Sequence, residues 1–197
     1  MAETASLRLP LLAPSQAQKH VTVNEALGRI DVLAQLVIRS RVLAAPPPGP
    51  AEGDCYSVPA AATGDWAGKA GYLALYRAGG WDFLPPQTGW RAFIVAEGCE
   101  AVFAGGDWQA GLLARSPFGA LARWRVIEFD HTVTAGATNT TVAAIPPEAM
   151  VFGVSARVVT AITGTLATWQ LGQAGAANRF GSGLGKAAGS YATGMLG

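Results

Sequence analysis

Charge is scarce in this chain. Asp, Glu, Lys and Arg make up 14% of its 197 residues, against the ~25% typical of a globular domain. The formal net charge is only +1, so no global field favours nucleic acid or an anionic membrane surface. A coiled coil is excluded, since it needs charges on its outer faces. Cysteine and histidine are rarer still: Cys55, Cys99, His20 and His131 give no tight ligand spacing for zinc. A disulfide is not expected in a reducing compartment. Long apolar runs are missing, the stretch 151–162 being broken by Arg157, whereas a membrane span needs ~20 residues. The opening MAETASLRLP lacks a basic segment followed by an apolar one, so no secretory signal is read and synthesis in a bacterial cytoplasm is the default. There is no nucleophile elbow, Walker loop or dinucleotide fingerprint, and Gly181-Ser-Gly-Leu-Gly lacks the strand–turn–helix context that would make it one. No cofactor is implied.

Backbone punctuation is abundant instead. The chain has 25 Gly and 12 Pro in a composition that is 50% apolar, which predicts many short strands joined by turns. The expected fold is mainly β: one N-terminal amphipathic helix, a small antiparallel β meander and a C-terminal β-sandwich-like region. Charge supports boundaries near 50 and 110, because residues 51–110 hold three basic and seven acidic residues between mildly basic flanks. The expected modules are therefore 1–50 (arm, helix and Pro-rich linker), 51–110 (β module) and 111–197 (β-rich region).

In the first module Pro10 and Pro14 forbid a helix interior, so LRLPLLAP reads as an extended arm whose leucines need a surface. Thr22 and Glu25 read as a capping box, and Val23, Leu27, Ile30, Ala34 and Val37 recur at helical spacing, which predicts a helix over 23–36. Val23, Leu27, Ile30 and Val37 form an apolar stripe that a lone helix cannot bury. A copy of the same chain is the simplest partner, so homo-oligomerisation is expected there. AAPPPGPAEGD then reads as a stiff spacer.

The β module contains an internal repeat. Residues 74–81, ALYRAGGW, align with 101–108, AVFAGGDW, at a period of 27. Each copy is a strand with aromatic alternation, a glycine turn and a Trp opening the return strand, the pattern of a β-hairpin with an aromatic cross-strand pair. Further on, RWRVIEFD from Arg123, then TVAAIP, VFGVSARVVTAI and TLATWQLG read as strands, and the glycine-rich stretch from 175 as a loop-rich rim. The chain stops in mid-pattern, which suggests a shortened form or a region completed by a neighbouring chain.

Candidate chemistry is thin. Asp54, Asp65, Asp82, Glu97, Glu100 and Asp107 could supply a glycosidase pair, but most sit where turns favour local hydrogen bonding. Trp66, Trp81, Trp90 and Trp108 with Tyr72 and Tyr76 crowd a 43-residue window. They read as the core of a small sheet or as sugar-stacking platforms. Trp66, in Thr-Gly-Asp-Trp-Ala-Gly, is the ring expected to be exposed, with Asp65 and Tyr72 beside it as a glycan-binding set.

The stretches LPLLAPSQAQKHVTVNEALGRID, GDCYSVPAAATGDWAGKAGYLALY and GWRAFIVAEG followed by VFAGGDW carry a likeness. Over roughly 7–110 the chain resembles a domain family of unknown function found in prophages and gene transfer agents of alphaproteobacteria. VFGVSARVVTAITGTLATWQLG with NRFGSGLG resembles the β-rich part that follows in that family. The resemblance implies a non-enzymatic structural protein of a virion-like particle, namely a spike, fibre or fibre base that reaches the host surface. Its partners would be copies of itself and other particle proteins, capsid or fibre. No catalytic residues come with the likeness. A carbohydrate-binding module for host surface polysaccharide is the second reading, and a glycan-cleaving enzyme the third.

Overall fold

The computed structural model describes residues 3–7, 9–12, 19–141 and 144–195. The protein is mainly β and divides into two compact units, 1–125 and 126–197. Both composition boundaries, near 50 and 110, fall inside the first unit.

One helix, α1 (Lys19–Leu33), precedes β1 (Val37–Ile38). It starts four residues before the expected 23, so Thr22 lies inside the helix and not at its cap. It also ends earlier than expected, because Leu36 to Ile38 leave the helix to join a sheet. Val37 is therefore a strand residue, paired with Phe93. The buried face of α1 carries Asp31 and Val32, with Leu27 half-buried, while Val23 and Ile30 of the expected stripe are exposed.

Asp31 is buried because the N-terminal arm is wrapped onto it. The arm turns back on itself through a Glu3–Pro10 bridge and is not simply extended. The Thr4 hydroxyl donates to Asp31 Oδ1 at 2.6 Å, the Ser6 amide donates to Oδ2 at 2.8 Å, and the Leu7 amide donates to Oδ1. Leu7 and Leu12 stay exposed while Leu9 and Leu11 are half-buried, so the polar bonds to Asp31 act together with partial leucine burial to hold the arm.

Two three-stranded antiparallel meanders follow. The first is β2 (Cys55–Ser57), β3 (Leu73–Arg77) and β4 (Gly80–Leu84). The second is β5 (Arg91–Ile94), β6 (Cys99–Ala104) and β7 (Asp107–Ala110), with β1 added parallel to β5. Both hairpins turn on two residues with positive φ: Ala78 (50°) and Gly79 (78°) in one, Gly105 (66°) and Gly106 (83°) in the other. Positive φ at both central positions matches the right-handed twist of the flanking strands. Tyr76 pairs with Trp81 and Phe103 with Trp108, and the rings meet at 5.1 and 5.3 Å, each at 63°. The 27-residue repeat is thus real in backbone and side chain.

It also extends one strand further than its sequence signal. Tyr76 exchanges backbone bonds with Gly53 and Asp54, and Phe103 exchanges the same pair with Gly89 and Trp90. The copies differ in the connection between their first two strands: 58–72 in the first, 95–98 in the second.

Alternation along the strands builds two cores. Leu73 and Leu75 of β3, with Cys55, face a cluster that also holds Val32, Leu36, Ile38, Ala92, Ile94, Ala101 and Trp108. Ala74 and Tyr56 face the opposite way, into a smaller cluster with Val58 and Trp66. Burial pushes the Cys55 thiol up to about 12, so it is an inert core residue, and Cys99 is likewise free. The Pro-rich segment, expected as a stiff spacer, is tied to the β unit at its start. Thr63 donates to the Ala44 carbonyl at 2.8 Å, and Arg41 grips Glu97 through two nitrogens while donating to the Trp108 carbonyl at 2.7 Å. A short hairpin, β8 (Leu112–Arg115) and β9 (Leu121–Arg123), closes this unit.

The second unit contains two two-stranded sheets, β10 (Gly153–Arg157) with β13 (Tyr191–Met195), and β11 (Trp169–Gln173) with β12 (Ala176–Leu184). The glycine-rich end is strand and not the loop-rich rim expected, and β12 is the longest strand described. Gly194 shows why glycine serves there: a Cβ would stand 2.4 Å from the Phe180 carbonyl oxygen. The strand expected over 123–130 does not form beyond Arg123. TVAAIP is not strand in its described residues either, and Val142 and Ala143 lie outside them. No described helix is long and apolar enough to cross a membrane.

The arm should respond to acid. Burial alone would raise the Asp31 carboxyl, but the Thr4 hydroxyl and the Ser6 and Leu7 amides outweigh it and hold the group below its ordinary value. A lowered folded value adds stability that is complete above the unfolded value of ~3.9 and is lost as pH falls through the lower folded value. Protection of the Ser6 and Leu7 amides, taken relative to the intrinsic exchange rate at each pH, is expected to be high at pH 6 and to be lost only below the ordinary carboxyl value of ~3.9. Asp31→Asn should lack that protection at every pH; equal protection in the variant would contradict the latch.

Candidate functional site

The insertion 58–72 is what distinguishes the first meander. Val58 and Tyr72 continue the ladder, with the Val58 amide donating to the Tyr72 carbonyl and the Gly71 amide to the Val58 carbonyl, both at 2.9 Å. Between them the loop makes a 3-10 turn at Gly64–Trp66 and folds its tryptophan onto the sheet. Trp66 is 0% exposed. Its ring lies 5.3 Å from Tyr56 and 5.2 Å from Trp81, and Trp81 also meets Tyr56 at 5.9 Å. This burial corrects the expectation of an exposed Trp66: the ring is the keystone of an aromatic core and offers no face to a sugar. Asp65 and Tyr72 are exposed on the same loop, with the Lys69 ammonium 5.9 Å from the Tyr72 ring and 5.2 Å from Phe83.

Of the three clustered rings, Trp81 is the one that reaches a surface. It is half-buried and lines a cleft of about 370 Å³ together with Glu25, Arg29, Arg77, Ala78, Gly80 and Asp82. Helix α1 supplies Glu25 and Arg29 one turn apart, and the β3–β4 hairpin supplies the rest. Arg29 pairs with Asp82 at 3.5 Å, and Arg77 Nη1 donates to the Glu25 carbonyl at 3.2 Å. A Cβ on Gly28 would lie 2.7 Å from that guanidinium, so this glycine lets Arg77 lie along the helix. The cleft sets two guanidinium groups and two carboxylates beside an indole ring. Such a set can exchange hydrogen bonds with a polyhydroxylated ligand. Sequence reading missed it because its residues are split between a helix face and a hairpin. The available signal was Glu25 and Arg29 at i, i+4 on the polar face.

The expected oligomerisation residues do not form one stripe. Val23 and Ile30 are exposed on α1, Leu27 is half-buried, and Val37 is exposed on β1. Among the described residues no group of His, Cys, Asp and Glu could hold a metal ion.

Residues 23–109 match a family described as "Protein of unknown function (DUF2793)". The match runs from α1 through β7 and so covers both meanders and the cleft. No curated protein matches the chain.

Trp66→Ala removes the centre of the aromatic cluster and should cost about 3–5 kcal/mol in urea unfolding, whereas exposed Asp65→Ala should stay within about 0.5 kcal/mol. A near-neutral Trp66→Ala would contradict the burial.

Proposed function

We propose that the chain is a non-enzymatic structural component of a phage-like particle, a spike, fibre or fibre-base protein that contributes to attachment to the host surface. The particle assignment rests on the likeness of residues 7–110 to the prophage and gene-transfer-agent family. Support for the structural role comes from Val23 and Ile30, which lie exposed seven residues apart and so on one side of α1. Apolar groups left open on one side of a helix can seat a partner. Copies of the chain and capsid or fibre proteins are the partners this reading assigns to it. In a producing strain, the protein should co-purify with released particles, and Val23→Asp with Ile30→Asp should remove it from them. Recovery only in the soluble fraction would overturn the particle assignment.

A second reading, recognition of host polysaccharide, is favoured by the Trp81 cleft. A shallow site of this kind should bind weakly per chain, and linked copies can gain roughly 10²-fold or more in avidity. Retention on host capsular polysaccharide should fall with Trp81→Ala and with Arg29→Ala. Release of reducing ends would overturn the non-enzymatic assignment.

A further inference from the structure

The two hairpins are copies of one scaffold, so comparing them separates what the fold needs from what it does not. Ala74, Tyr76, Gly79 and Trp81 have Ala101, Phe103, Gly106 and Trp108 as counterparts. These build the ring pairs, the turns and the strand interiors. The positions that line the Trp81 cleft are not kept. Arg77, Ala78, Gly80 and Asp82 stand where the second copy has Ala104, Gly105, Asp107 and Gln109.

Three residues around Arg77 run against what the backbone alone would favour. Gly28 lies inside α1, where glycine weakens a helix, and a Cβ there would stand 2.7 Å from Arg77 Nη1. Ala78 holds φ 50°, which favours glycine, and the Glu52 carboxylate clamps it by accepting from its amide at 2.9 and 3.0 Å. Gly80 is the reverse case. Its φ is not positive, and a Cβ there would meet nothing within 4 Å, so neither conformation nor packing requires glycine. What its missing side chain does is leave Arg77 alone. Gly80 is paired with Arg77 across the ladder, and side chains at paired positions share a face. In the second copy the equivalent Asp107 carboxylate stands 4.0 Å from the Arg41 guanidinium, which Glu97 also holds.

Among the described residues Asp82 pairs with Arg29, whereas Arg77 has no carboxylate partner and donates to the Glu25 carbonyl. Its remaining N–H donors form a planar fork matched to a carboxylate. The Glu25 carboxylate also lines the cleft, and it can only accept. The complement of this pair is a ligand with one singly charged acceptor for Arg77 and hydroxyl donors for Glu25. A dianionic phosphate would be repelled by Glu25 and Asp82. We propose that the cleft takes an acidic sugar, a hexuronate whose carboxylate is received by Arg77, with its hydroxyls donating to Glu25 and its ring against Trp81. This rests on the second reading above, which makes the cleft a saccharide site, and adds the charge that the saccharide must carry.

The full-length protein is titrated with trigalacturonate and with its methyl ester, which keeps the ring hydroxyls and loses the charge, and Kd is followed by ligand-observed NMR. The free acid is expected to bind at least about 10-fold more tightly than the ester, the strength of a hydrogen-bonded charge. Arg77→Gln should remove that preference. Gly80→Asp should remove it too, by placing a carboxylate opposite Arg77. Because that aspartate is the second copy's own residue, the urea midpoint should stay unchanged, which separates loss of the site from loss of the fold. Arg115→Gln, beside the turn of the second hairpin, should leave the preference intact. Equal binding of the two probes, or binding of neither, overturns the inference. If retention on capsular polysaccharide still falls with Trp81→Ala, the saccharide reading then stands without the acidic requirement; if it does not, both fail. A preference that survives Arg77→Gln and Gly80→Asp, or that is lost equally with Arg115→Gln, also overturns the inference, as charge attraction not tied to the cleft.

Discussion

Two rings clasped across a two-residue turn set each meander, and the rest of the first unit is arranged around the two clasps. The turn needs positive φ at both central residues. Ala78-Gly79 and Gly105-Gly106 supply it. With the turn fixed, Tyr76 must face Trp81 and Phe103 must face Trp108. That register sends Leu73, Leu75 and Ala101 into one shared core and Ala74 to the opposite face. A slip of one residue would turn each set to the wrong side. The two tryptophans then serve different clusters, Trp108 in the shared core and Trp81 against Trp66 and the cleft.

The hairpins were legible because the turn residues and the tryptophan recur at fixed spacing. That the repeat also takes in the first strand of each meander was not, because 58–72 and 95–98 differ in length and shift that strand out of the 27-residue period. Trp66 was misjudged for a related reason. Thr-Gly-Asp-Trp has the composition of an exposed turn, but the loop that contains it lies over an apolar sheet face, and burial of a large ring overrides local composition. Asp31 shows the converse. On a helical projection it belongs to the polar face, and only the arm's donors make its burial tolerable. The C-terminal glycines hid β12 and β13 because close backbone approach, as at Gly194, needs no β-branched side chain.

The two units therefore handle apolar surface differently. In the first, two sheets, a helix and an inserted loop enclose it within one chain. In the second, most of it stays outside. The Trp81 cleft lies within the first unit.

The dependence on the two clasps is tested most directly by paired double-mutant cycles in urea, one on Tyr76 and Trp81, the other on Phe103 and Trp108. Coupling of about 0.5–1.5 kcal/mol is predicted in both cycles, with similar size because the ring geometries match. Coupling indistinguishable from zero in either cycle would contradict the equivalence of the two meanders and the role of the ring pairs in setting their register.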